Sequence, residues 1–134
     1  MIRSELSTSS KWFVPRHRYY ELKHFCLQYS IWKEAYDSLT ALGSTSKVNA
    51  IKRDDISDPT SKIAEQALVF LERMKVVEQS AIETDAVIGP YIFKAVTEGI
   101  GYDILKVQTN IPCCKDVYYD LYHKFFYILS KKRR

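Results

Sequence analysis

Four glycines and four prolines in 134 residues leave the chain little turn chemistry, and almost no stretch alternates apolar and polar residues as a half-buried strand would. A strand-rich fold is excluded on both counts, and an all-α fold is expected. Long apolar runs are missing too. None approaches the roughly 20 residues that a membrane-spanning helix needs, so no membrane partner is expected. Cys26, Cys113 and Cys114 are odd in number, include an adjacent pair and form no CxxC, which excludes a disulfide framework and argues against zinc. With no apolar signal region near Met1 and no prenylation motif, the expected setting is reducing and cytoplasmic. Catalytic signatures are also lacking: there is no GxSxG, HExxH or phosphate loop, and Asp54, Asp55, Glu83 and Asp85 read as solvated acids. No enzyme activity, cofactor or metal is expected.

What is present is a chain 46% hydrophobic, long enough to bury a core unaided. Helical spacing recurs in nearly every segment. Residues Met1 to Lys11, rich in serine, read as an arm. Tyr19, Leu22, Phe25, Cys26 and Tyr29 then form one stripe, either core or dimer seam, and a second helix through Trp32, Ala35, Tyr36, Leu39 and Leu42 is expected from a Ser30 cap to a Gly43 stop. These two helices predict a hairpin. Ser44 to Ser57 is polar and aperiodic, the best linker in the chain. Asp58 and Pro59 mark a helix start, after which Ile63, Ala67, Phe70, Leu71, Met74, Val77 and Ala81 share a side until Ile88-Gly89-Pro90. The expected organisation is therefore an arm and helical hairpin over 1–56, and a long central helix with a C-terminal helix-turn-helix over 57–134. An intramolecular role suits the long helix best, with a homodimer as the lesser reading.

The C-terminal run carries the functional reading. Tyr91 to Glu98 predicts a short helix stopped by Gly99. Tyr102 to Val107 predicts a second, followed by a turn in which Asn110 tolerates positive φ and Pro112 breaks the helix. A third helix from Cys113 places Cys114, Val117, Tyr118, Leu121, Phe125, Ile128 and Leu129 in one apolar stripe. On its other face Lys115, Asp116, Tyr119, Asp120 and His123, with Lys124 beside them, are expected to point outward where a recognition helix meets double-stranded DNA. Charge is consistent with an anionic polymer. From Pro112 onward six Lys or Arg face two Asp, Met1 to Tyr29 has five basic and two acidic residues, and Ser30 to Ile111 has nine basic and twelve acidic. The chain is basic at both flanks and acidic between them.

The segment IPCCKDVYYDLYHKFFYILSKKRR, preceded by KAVTEGIGYDIL, resembles the C-terminal helix-turn-helix of small phage and prophage transcriptional regulators of the autolysin-regulator and late-activator type. The likeness covers the last third of the chain and, more loosely, FCLQYSIWKEA. It implies an all-helical protein whose final helix enters the major groove and controls a phage gene block. One departure is specific: Asp120-Leu121-Tyr122-His123 follows Tyr118-Tyr119 where such regulators tend to carry arginines. Two other readings stand beside a sequence-specific DNA-binding regulator. One is a DNA-packaging component like a small terminase subunit; the other is a protein-interaction adaptor that contacts, for instance, RNA polymerase.

Overall fold

The computed structural model describes residues 11–50 and 59–133, with side chains over 11–41 and 61–133. Among the described residues there are six helices and no strand: α1 (Arg16–Leu27), α2 (Tyr29–Ala50), α3 (Pro59–Thr84), α4 (Gly89–Glu98), α5 (Tyr102–Thr109) and α6 (Lys115–Lys132). The all-α class is as expected. No described helix is long and apolar enough to cross a membrane.

Pro15 precedes α1 with its carbonyl accepting from Tyr19 N–H, so the proline starts the helix without sacrificing a bond inside it. The predicted stripe is buried at Tyr19, Leu22, Phe25 and Cys26. α2 begins one residue before Ser30, which therefore lies inside the helix and is not its cap. It also runs through Gly43 to Ala50. A glycine inside a helix costs only about 1 kcal/mol relative to alanine and stops it only where a left-handed turn follows. The first residues assigned to the linker are thus helical; the rest of it, the Asp58 cap and residues 1–10 of the N-terminal arm lie outside the described residues.

Pro59 is the first residue of α3, as its fixed φ allows. The helix ends at Thr84, earlier than Ile88-Gly89-Pro90 suggested, because the Asp85 carboxylate accepts from Val87 N–H at 2.9 Å and Ile88 N–H at 2.7 Å and closes a side-chain turn. Gly89 then opens α4 so near the preceding helix that a Cβ there would strike the Ala81 carbonyl oxygen. Gly99 ends α4 with φ 72°, and Asn110 ends α5 with φ 55°. Both stops fall where expected.

The chain divides by its contacts into two compact units, one formed by residues up to Gln28 with Val76 onward, the other by Tyr29–Lys75. α1 belongs to the first unit, where its stripe packs on α4 and α6. Leu22, Cys26, Ile92, Leu105, Phe125 and Leu129 are fully buried in that unit. The second unit, containing α2 and the first part of α3, buries Trp32, Ala67 and Met74.

Candidate nucleic-acid interface

α5 and α6 are joined by residues 110–114 and pinned to one another at that end. Tyr102 Oη donates to the Cys113 carbonyl at 2.6 Å, and its ring lies 5.3 Å from that of Tyr118. Lys115 Nζ meets the Asp103 carboxylate at 3.4 Å. The helices themselves fall as expected, but the face that α6 presents does not. Tyr118, Tyr122, His123, Phe125, Phe126 and Leu129 are buried, whereas Val117 is 48% exposed, Cys114 is exposed, and Leu121 and Ile128 are only half-buried. The inward direction is turned by roughly 75° from the aliphatic stripe, taking 100° per residue. The reason is area. Tyr118, Tyr122, Phe125 and Phe126 cover more surface than Val117 or Cys114, Tyr19 and Phe126 supply edge-on ring partners, and Tyr102 supplies a tilted one.

This rotation sorts the six residues expected to meet DNA. His123 is 7% exposed and stacked edge-on against Tyr122, so it is not an outward reading residue. Tyr119 is half-buried between Tyr118 and Tyr122. Lys115 is engaged by Asp103, leaving Asp116 and Asp120 as the exposed polar groups of the N-terminal half. Lys124 is half-buried, its ammonium 5.5 Å from the Trp12 ring centre. The expected site is therefore not one patch. Its exposed N-terminal part is acidic, with Val117 beside it, and would repel phosphates.

A different cluster forms farther along the same face. Lys124, Tyr127 and Lys131 recur at helical spacing, and the segment before α1 lays Trp12 edge-on to Tyr127 with ring centres 5.3 Å apart. Lys11 Nζ lies 5.0 Å from the Trp12 ring centre and Lys131 Nζ 4.6 Å from that of Tyr127. Three ammonium groups thus rest on two rings, and no ion pair neutralises any of them among the described residues. The helix dipole favours this order of charge, acids near the start of α6 and bases near its end. Sequence reasoning found Lys124 but not its companions. The Lys124, Tyr127, Lys131 spacing was visible; the arrival of Trp12 was not.

Adjacent packing fixes this end of α6. The Arg18 guanidinium donates from Nε to Ser130 Oγ at 3.1 Å, from Nη2 to the Ser130 carbonyl at 3.1 Å, and to the Arg133 carbonyl. Arg133 in turn lies over Phe25, and Lys132 pairs with Glu83 at 2.6 Å. Deeper in, Tyr19 and Tyr122 share a hydroxyl–hydroxyl bond of 2.9 Å, and burial pushes the Tyr122 phenol above its ordinary value. Burial likewise raises the Cys26 thiol, and raises Cys113, with Cys114 and Asp85 adding to the latter. The chain matches no protein-family model, no curated protein and no solved structure.

Proposed function

We propose that the protein is a DNA-binding regulator that grips the duplex by its phosphates at the C-terminal half of α6, not by inserting the N-terminal half of that helix into the major groove. One observation carries this reading: Lys11, Lys124 and Lys131 are gathered around Trp12 and Tyr127 with no acidic partner among the described residues. Ammonium groups seated on rings keep their charge and lose mobility, which suits phosphate contact with little ordering cost. Base reading by Lys115, Asp116, Tyr119, Asp120 and His123 is the weaker part of the original expectation, since the first is paired, the last is buried and the acids disfavour approach.

Fluorescence anisotropy with labelled duplex at several salt concentrations tests this. Three phosphate contacts give a log–log salt slope of about −2.7, and Lys124→Ala with Lys131→Ala together reduce its magnitude by about 2. Trp12, half-exposed where Trp32 is buried, changes its emission on binding. No retention at low salt, or a slope indifferent to the double substitution, refutes the proposal.

A second reading has its own observation. Ile104 and Val107 on α5 are 51% and 87% exposed and Val117 on α6 is 48% exposed, with Asp103, Asp116 and Asp120 also exposed. Apolar residues flanked by acids suit a basic protein surface, and RNA polymerase is the partner of that kind that a regulator would meet. Unchanged capture of polymerase by the Lys124→Ala, Lys131→Ala protein, with DNA binding lost, favours this reading. A homodimer finds support in Leu68 and Val69 of α3, 53% and 45% exposed; sedimentation of Leu68→Glu against the parent tests it.

A further inference from the structure

The rotation of α6 that buries its rings leaves the aliphatic stripe outside. Cys114, Val117, Leu121, Lys124, Ile128 and Lys131 follow one another at steps of three and four, the spacing with which a helix meets a second helix along a seam. Cys114, Val117 and Lys131 are exposed, and Leu121, Lys124 and Ile128 are half-buried. Asp116 and Asp120 are exposed along one edge of the seam. Like Lys124 and Lys131, they take part in no ion pair among the described residues. Acids therefore hold the first half of this face and lysines the second, and a helix so marked is complementary to its own reverse.

Two copies of α6 laid antiparallel about a two-fold axis between residues 122 and 123 bring each feature to its counterpart. Val117 lies level with Ile128 of the second copy, and Leu121 with the apolar stem of its Lys124. At 1.5 Å rise per residue, Asp120 is offset along the axis by about 1.5 Å from the opposing Lys124, and Asp116 by about 3 Å from the opposing Lys131, both within a lysine's reach. A parallel pairing would instead set acid against acid and lysine against lysine. We propose that a second copy of this chain docks here, α6 against α6 in antiparallel register, with Val117, Leu121 and Ile128 as the seam and Asp116 and Asp120 meeting Lys131 and Lys124 across it. The strip is only about 22 Å long, short of a standard interface, so the dimer is weak and reversible. It does not rest on the DNA reading but bears on it: Lys124 and Lys131 serve both, so the dimer and phosphate contact exclude one another.

Sedimentation equilibrium of the full chain without DNA, from about 5 to 500 μM, tests the proposal. A monomer to dimer equilibrium is expected, weakened about tenfold or more between roughly 50 and 500 mM salt. Asp116→Lys with Asp120→Lys makes the face wholly basic, and Lys124→Glu with Lys131→Glu makes it wholly acidic. Each variant alone is monomeric, and mixing the two restores a dimer. Register has its own readout. Cys114, an exposed thiol, lies level with Lys131 of the opposing copy, so a short reagent joining thiol to amine links them between isotopically distinct chains. Within one helix the two are about 25 Å apart, beyond its span. A monomer throughout, mixed variants that stay apart, or no linkage of Cys114 to Lys131 between chains overturns the proposal. So does a dimer indifferent to both pairs of substitutions, which would place the contact elsewhere, as on Leu68 and Val69 of α3. Should a variant fail to fold, the linkage in the parent chain still decides.

Discussion

Tyr118 and Tyr122 hold their phenolic protons against the solvent. Burial is the leading cause in each, with neighbouring tyrosines adding to it, and both are raised above the ordinary value of 10.0. In the unfolded chain these groups ionise near pH 10, whereas the folded chain keeps them neutral beyond it. Their contribution to stability is whole below pH 10 and is lost as pH climbs from there toward the folded values, at about 1.4 kcal/mol per pH unit for each tyrosine. Urea unfolding between about pH 8 and 11 should show this decline, and Tyr118→Phe should remove one tyrosine's share. A flat profile above pH 10 would contradict the burial of both hydroxyls. The thiols grade likewise: Cys114 is exposed, Cys113 half-buried and Cys26 fully buried. Titration with a chromogenic disulfide should show Cys114 reacting first, Cys113 more slowly because its thiol is raised, and Cys26 only on unfolding.

Single residues also settle how elements meet. Arg18 on α1 reaches the last turn of α6 with three donated bonds, a task for a planar fork that a point ammonium cannot copy. Arg18→Lys should cost about 1 kcal/mol in chemical denaturation, and Gly89→Ala about 1–3 kcal/mol through forced displacement of α4 from Ala81. Element ends were legible where a residue had one permitted use, as Gly99 and Asn110 had in the left-handed region and Pro59 at a helix start. Faces were less legible. Tyrosine and histidine are apolar in body and polar at the tip, so α6 read by its aliphatic residues pointed Val117 inward and His123 outward, the reverse of what packing selects. The candidate site suffered from the same ambiguity: Asp116 and Asp120 are exposed as read, but the cations that make a patch are drawn together by Trp12, whose position no periodicity within α6 encodes.

At the scale of the whole molecule, the first unit is discontinuous in sequence, with residues Tyr29–Lys75 set between its parts. Cooperative loss of that unit should be visible in hydrogen exchange. Phe125→Ala, which leaves a cavity costing about 3–5 kcal/mol, should speed exchange at Leu22 and Phe25 as much as at Leu129, and leave the amides around Trp32 far less affected. Equal acceleration throughout would mean one cooperative body. The Tyr19 to Tyr122 bond spans this discontinuity and has a consequence for biosynthesis. A ribosome releases α1 well before α6 exists, so the Leu22 and Phe25 stripe emerges with its principal cover still unmade. Through that interval the nascent chain displays a greasy helix, a target for chaperones and proteases, and the first unit can close only after translation has passed Leu129.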